Sequence, residues 1–258
     1  SAWPLGSSVT PNGINFSIAA PHAKNVDLLI FKDEHDSSPK ETISLDDQNR
    51  SGDYWHVEIE GLTEGALYGY RITINDHKDN EENLVLDPCA RGIAGWGNYL
   101  RNQKSKVNKD YINCLKGVVT ERDNFDLRSH PRPNHSWNKT IIYELHVGGF
   151  TKKSDSNISE EKKGTFIGLV EKIPYLKSLG ITSIELLPVF AFDTNDAPIG
   201  LVNYWGYSPI NWFTPHQGFV DNSNPLEARK QFKYLVEVCH DHGLEVLIDV
   251  VYNHTTEG

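Results

Sequence analysis

The sequence predicts two domains of different class: an all-β sandwich over residues 1–100 and an α/β unit with parallel strands over residues 139–258, joined by a connector at 101–138. Three observations predict this. Short runs of alternating apolar and polar residues, separated by turn-rich stretches, fill the first hundred positions. From Thr140 the pattern changes to strand, helix, strand, helix, strand. The last of these strands, Leu244-Glu-Val-Leu-Ile-Asp-Val-Val-Tyr-Asn-His254, is apolar almost without break to Val251, as a parallel strand covered on both faces requires.

In the first domain Ile14, Phe16 and Ile18 alternate with polar residues, Val26 to Phe31 is a short apolar run, and Trp55, Val57 and Ile59 alternate again. Tyr68, Tyr70, Ile72 and Ile74 make the next strand, and Thr10-Pro11-Asn12-Gly13 and Asp33 to Lys40 read as turns. Trp55, Tyr68 and Tyr70 give one strand face an aromatic character. Such residues are expected in the sandwich core, with a sugar-stacking surface as the alternative. Asn75 to Asn83 is a polar loop, and Gly92 to Asp126, with weak periodicity, reads as a wrapping connector that Pro131 and Pro133 bring to an end.

In the second domain Ile141 to Val147 and Ile181 to Val189 are strands. Between them Phe166, Leu169, Val170, Ile173, Leu176 and Leu179 keep helical spacing, with Gly180 to end the helix and Pro174 predicting a kink or a late start. Asn224-Pro225-Leu226-Glu227 is a helix start with a cap residue, Pro at the first position and Glu at the third. Phe232, Leu235, Val236 and Cys239 are its buried stripe, and Gly243 ends it before the last strand. A β-α-β-α-β order implies right-handed crossovers between parallel strands.

The chemistry is expected at the carboxyl ends of those strands, where Asp249, Asn253 and His254 close the last apolar run. Phe190 to Ser223, after the second strand, opens on the same face and is rich in aromatics: Tyr204, Trp205, Tyr207, Trp212, Phe213 and Phe219. Rings, a carboxylate, an amide and an imidazole on one face suit a neutral polyhydroxylated ligand, the rings stacking on its C–H face and the polar groups meeting its hydroxyls. The alternative is that the loop packs its aromatics into a mini-core of its own.

Composition narrows the partners. A net charge of −10 argues against nucleic acid and anionic membranes, both of which need clustered Lys and Arg. No apolar run approaches membrane-spanning length, and no basic-then-apolar signal pattern opens the chain. Cys89, Cys114 and Cys239 have neither paired nor metal-like spacing, so reduced thiols in the cytoplasm are expected, with no metal and no cofactor.

Asp249-Val-Val-Tyr-Asn-His254 resembles the first signature of the α-amylase clan of glycoside hydrolases, and Asn203-Tyr-Trp-Gly-Tyr-Ser-Pro209 resembles the clan's second-loop motif. Tyr143-Glu-Leu-His-Val147, Glu185-Leu-Leu-Pro-Val-Phe190 and Thr255-Thr-Glu-Gly258 are similar to isoamylase-type debranching enzymes of glycogen or starch. Leu86-Asp-Pro-Cys-Ala-Arg91 resembles the segment that follows the clan's N-terminal carbohydrate-binding-module-like sandwich. Cys89 replaces the usual Tyr there, a change expected to alter packing and not function. Gly148 stands where an Arg is common in relatives.

The resemblance implies a (β/α)8 barrel, of which this sequence holds the first three β/α units, and cleavage of α-1,6 branch linkages in glycogen or a related α-glucan. It implies that Tyr207 stacks on the glucose at the cleavage point, that His254 hydrogen-bonds that sugar's primary-alcohol region, and that Asp249 orders the floor of the site. Trp205 and Asn253 support it. A retaining glycosidase needs two carboxylates about 5–5.5 Å apart. The resemblance places these on later strands, and neither Asp249, Glu144 nor Glu185 matches them. With Ser at position 1 and no Met, the chain is therefore expected to be a piece of a longer enzyme and inactive alone. Its open barrel is expected to self-associate unless something covers it. The alternatives are a non-catalytic α-glucan-binding module, or another clan enzyme such as a pullulanase or a trehalose-releasing hydrolase.

Overall fold

The computed structural model describes residues 1–74, 83–99, 110–121 and 129–256. The chain divides into two compact units, Ser1–Asp123 and Asn124–Gly258.

The first unit is a sandwich of two antiparallel sheets. Its strands are β1 (Gly6–Val9), β2 (Gly13–Ala19), β3 (Asn25–Phe31), β4 (Glu41–Leu45), β5 (Arg50–Ser51), β6 (Tyr54–Glu60), β7 (Leu67–Thr73), β8 (Ile93–Ala94) and β9 (Lys116–Val118). One sheet runs β1-β2-β6-β5 and the other β4-β3-β7-β9-β8. Ile14, Phe16 and Ile18 from one sheet and Val26, Leu28 and Ile30 from the other form the shared core. Trp55, Tyr68 and Tyr70 lie in that core, at 2%, 0% and 1% exposure, so they offer no sugar-stacking face. Two of the three satisfy the rule that buried donors find acceptors, while the Tyr70 hydroxyl is buried with no hydrogen-bond partner among the described residues. Tyr68 donates to Asp87 Oδ2 at 2.7 Å and the Trp55 indole to the Ala20 carbonyl at 3.2 Å.

Two sequence expectations change here. Residues 110–119, assigned to the connector, are built into the sandwich: β9 pairs with β7 through Leu67–Val118 and Tyr68–Gly117. The signal was hidden because Lys116-Gly-Val118 has no apolar alternation. Gly117 is needed since a Cβ there would lie 2.8 Å from the Tyr68 ring, and buried Lys116 gives its ammonium to the carbonyls of Glu34, Tyr111 and Cys114. Ile74, expected to continue β7, follows the strand's end and is exposed. Most of the predicted 75–83 loop, and the connector's residues 100–109 and 122–128, lie outside the described residues.

The second unit carries a three-stranded parallel sheet, β10 (Ile142–Leu145), β11 (Ser183–Leu186) and β14 (Glu245–Ile248), in the order β10-β11-β14. Between them come α1 (Val147–Phe150), α2 (Phe166–Val170), α3 (Ile173–Ser178), an antiparallel pair β12 (Phe190–Phe192) and β13 (Pro209–Pro215), and α4 (Glu227–Asp241). Leu145, Ile184 and Leu186 face the helices and share a core with Phe166, Leu169, Ile173, Leu176, Leu235 and Cys239.

The predicted single helix is two. Pro174 sits in the first turn of α3, and having no N–H it cannot continue the hydrogen-bond ladder from α2. Leu179, counted with the buried stripe, is exposed. The start of α4 falls later than predicted: Asn224 caps a turn, accepting from Leu226 N on its side chain and from Glu227 N on its carbonyl, and the helix begins at Glu227. The last strand is shorter and less buried than its apolar run suggests. Among the described residues β14 pairs only with β11, and Ile248, Val250 and Tyr252 are left exposed.

Candidate functional site

In-register pairing brings the carboxyl ends of the parallel strands to one level. Leu145, Leu186 and Ile248 are aligned partners, and Leu187 N and Asp249 N extend the ladders to Leu145 O and Leu186 O, both at 3.0 Å. Side chains alternate along a strand. Asp249 therefore shares a face with Leu247, and in register with Glu185 and Glu144, opposite the face that packs on the helices.

The long aromatic connection folds back over this level. Tyr207 donates its hydroxyl to Asp249 Oδ2 at 2.5 Å. His254 Nε2 donates to the Tyr207 carbonyl at 2.8 Å. Trp212 Nε1 donates to Val251 O at 2.8 Å, and Thr256 N to Pro209 O at 3.2 Å. The segment after β14 is thus tied to β13 at two further points, both C-terminal to the Tyr207–Asp249 bond on each segment. That bond, burial, and the negative charges of Asp249, Glu144 and Glu185 push the Tyr207 hydroxyl up to about 12. The phenol stays a proton donor to the carboxylate through the neutral range.

The loop divides its aromatics. Phe192 and Phe219 do not form a core of the loop's own but join the core of the unit beside Leu145 and Phe166, and buried His216 stacks on Phe192 at 3.9 Å between ring centroids. Tyr204, Trp205, Tyr207 and Phe213 are exposed. The intervening loop is ordered by Asn203, which donates to Asp193 O and accepts from Gly206 N. Gly206 has φ +81°, and a Cβ there would lie 2.8 Å from the Phe192 ring. Of the five residues singled out from the sequence, Tyr207, Asp249 and His254 are bonded together. Trp205 stands beside Tyr204 with ring centroids 5.3 Å apart, and Asn253 is exposed.

Sequence reasoning missed His146 and Tyr204 as a pair. His146 follows β10, one position past its carboxyl end, the same positional signal that marked Asp249. Its ring stacks on Tyr204 at 4.1 Å with 13° between planes. Burial lowers its pKa, partly offset by the Tyr204 carbonyl that Nε2 meets at 2.8 Å.

Residues 4–90 match the family model for carbohydrate-binding module 48, the isoamylase N-terminal domain, and residues 136–258 match the α-amylase catalytic domain. The chain carries a module 48 followed by part of an α-amylase catalytic domain. Among curated relatives, it is 33% identical to isoamylase 3, chloroplastic, of Oryza sativa subsp. japonica, over 99% of this chain and 35% of that protein. It is 34% identical to the glycogen debranching enzyme of Klebsiella pneumoniae, over 98% of this chain and 39% of that one. Among solved structures, a product complex of the multi-modular glycogen-degrading pneumococcal virulence factor SpuA superposes with a TM-score of 0.78 at 26% identity, covering 98% of this chain and 27% of that one. The chain therefore spans a little over a third of the length of the curated relatives it matches. The sandwich is the module 48, and β10, β11 and β14 are strands of the α-amylase catalytic domain. No described helix is long and apolar enough to cross a membrane.

Proposed function

We propose that the second unit forms one wall and part of the floor of an α-glucan site, in an enzyme that cleaves α-1,6 branch linkages of glycogen or a related glucan by a retaining two-carboxylate mechanism. The observation that carries this is the convergence of Tyr207, Asp249 and His254 at the strand ends. Tyr207 stacks on the glucose unit at the cleavage point. His254 meets its primary-alcohol region, Asp249 orders the floor by fixing Tyr207, and Trp205 and Asn253 support the wall. The nucleophile and the acid come from residues outside these 258. The named activities of the relatives, and the module 48 at the front, support branched α-glucan as the substrate. The free thiols of Cys89, Cys114 and Cys239 support a cytoplasmic setting. The edge of β14 that pairs with no strand among the described residues, and the exposed Ile248 and Val250, support pairing with further barrel strands, or with a second copy when the chain is alone.

The purified 258-residue chain is expected to release no linear chains from glycogen, read as no rise in reducing ends and no shift in iodine absorbance; debranching by this chain would overturn the assignment of the catalytic carboxylates. Its second unit is still expected to bind maltoheptaose. Chemical-shift titration of residues 139–256 follows that binding without interference from the sandwich. Tyr207→Ala is expected to weaken it about 30-fold, the roughly 2 kcal/mol of a buried aromatic anchor. Tyr207→Phe, which loses only the hydroxyl, is expected to cost about 5-fold, in line with about 1 kcal/mol for one hydrogen bond. An alanine variant that binds like the parent would remove Tyr207 from the site.

A further inference from the structure

We propose that His146 is a positioning residue of the glucan wall, holding the Tyr204–Trp205 segment in place through a directed hydrogen bond and a stacked ring. The role rests on the α-glucan reading of the aromatic loop.

His146 directly follows β10 and caps the single turn of α1, with Nδ1 accepting from Gly149 N at 3.0 Å. A cap needs only an acceptor, and Asn, Asp or Ser would serve. The imidazole does more. Because Nδ1 accepts, the neutral ring carries its proton on Nε2. That proton points at the Tyr204 carbonyl, 2.8 Å away and 58 residues along the chain. The ring face lies on Tyr204, and its edge meets Trp205 and Phe219 with centroids at 6.2 and 5.6 Å. One side chain thus fixes both the backbone and the ring of Tyr204, three residues before Tyr207.

The neighbouring glycines shape the seat. A Cβ at Gly148 would stand 2.9 Å from His146 Cε1 and 3.1 Å from the Phe219 ring, and one at Gly149 would stand 2.2 Å from the Tyr204 hydroxyl oxygen. In this chain the space a side chain would take is held by the His146 ring. The reach to the Tyr204 carbonyl is what the cap alone does not require: Asn reaches only as far as Nδ1, whereas Gln carries an N–H₂ about as far out as Nε2.

The test uses the whole chain and two readouts, one independent of glucan. His146→Asn keeps the cap acceptor and is expected to leave the melting temperature within a few degrees. It is expected to move the Trp205 indole resonance and to speed amide exchange at Gly206. The affinity for maltoheptaose, followed by shifts of residues 139–256, should fall about tenfold. His146→Gln should recover it to within about threefold. Nitrogen shifts of the parent should show the proton on Nε2. Unchanged Trp205 and Gly206 signals in the Asn variant overturn the positioning role, as does a displaced wall with parental affinity. Trp205→Ala separates the two claims. If it binds maltoheptaose like the parent, the loop is not a glucan wall; the glucan reading fails, and this role fails with it, whatever His146 does to Trp205.

Discussion

Phe166→Ala is expected to destabilise the α-amylase unit by about 3–5 kcal/mol, the cost of emptying a large aromatic site in a close-packed core. Phe166 is fully buried where α2 meets both the sheet and the loop core. Its ring centroid lies 5.4 Å from Phe232 on α4 and 5.8 Å from Phe219 in the aromatic connection. Removing it takes support from a helix and from the base of the aromatic connection at once. Phe166→Leu keeps most of the volume and should cost less than about 1.5 kcal/mol. Urea unfolding, with hydrogen exchange of residues 142–248 assigning the loss to this unit, checks both values. An alanine variant within about 1 kcal/mol of the parent would show that the contacts of Phe166 are not the centre of this core.

Acid is expected to weaken the same unit through His216. Burial, with a smaller contribution from the charge of His146, pulls its imidazole from 6.5 to about 3. In the unfolded chain the ring titrates near 6.5, so between those two values the unfolded state holds a proton that the folded state refuses. Stability is therefore complete above about pH 6.5 and falls as pH drops toward 3, below which this group takes nothing more. Carried through the whole window, the loss is on the order of 5 kcal/mol. The measurement is unfolding free energy at pH 7, 5.5 and 4.5 for the parent and for His216→Phe. The phenyl ring keeps an aromatic stack on Phe192, and any partner lost at the ring nitrogens costs the same at every pH. The variant should lose less stability between pH 7 and 4.5, by an amount approaching 1.4 kcal/mol per pH unit. Equal slopes for the two proteins would mean that His216 is protonated in the fold.

Local spacing was enough for the class of each unit. Ile14, Phe16 and Ile18 alternate, and they line the sandwich core because period two is a property of the strand itself. The α4 stripe and the stop at Gly243, with φ +71°, were equally legible. The parallel order of β10, β11 and β14 followed from the alternation of strands with helices. Element ends were less visible. Asn224 makes the same hydrogen bonds in front of a turn as it would in front of a helix. Nothing in the sequence of Lys116-Gly-Val118 announces a strand, since its reason to exist is the edge of β7.

The candidate site divides in the same way. Residue type and position at a strand's carboxyl end marked Asp249 and His254, and the family resemblance singled out Tyr207 among the loop aromatics. Their mutual bonds, and the pairing of His146 with Tyr204, join positions 42 to 58 residues apart. The buried Phe192, His216 and Phe219 were indistinguishable in composition from the exposed Tyr204, Trp205 and Phe213. An aromatic residue has the same propensity on either side of a loop; which rings are buried depends on how β12 and β13 fold back over the strand ends. The sequence by itself thus determined the two fold classes, the strand ends at which the candidate residues gather, and the residue types found there. The tertiary structure decided which of those residues touch. Periodicity and turn chemistry act over a few residues of chain, whereas a hydrogen bond between distant segments exists only once register and packing have brought its two ends within 3 Å.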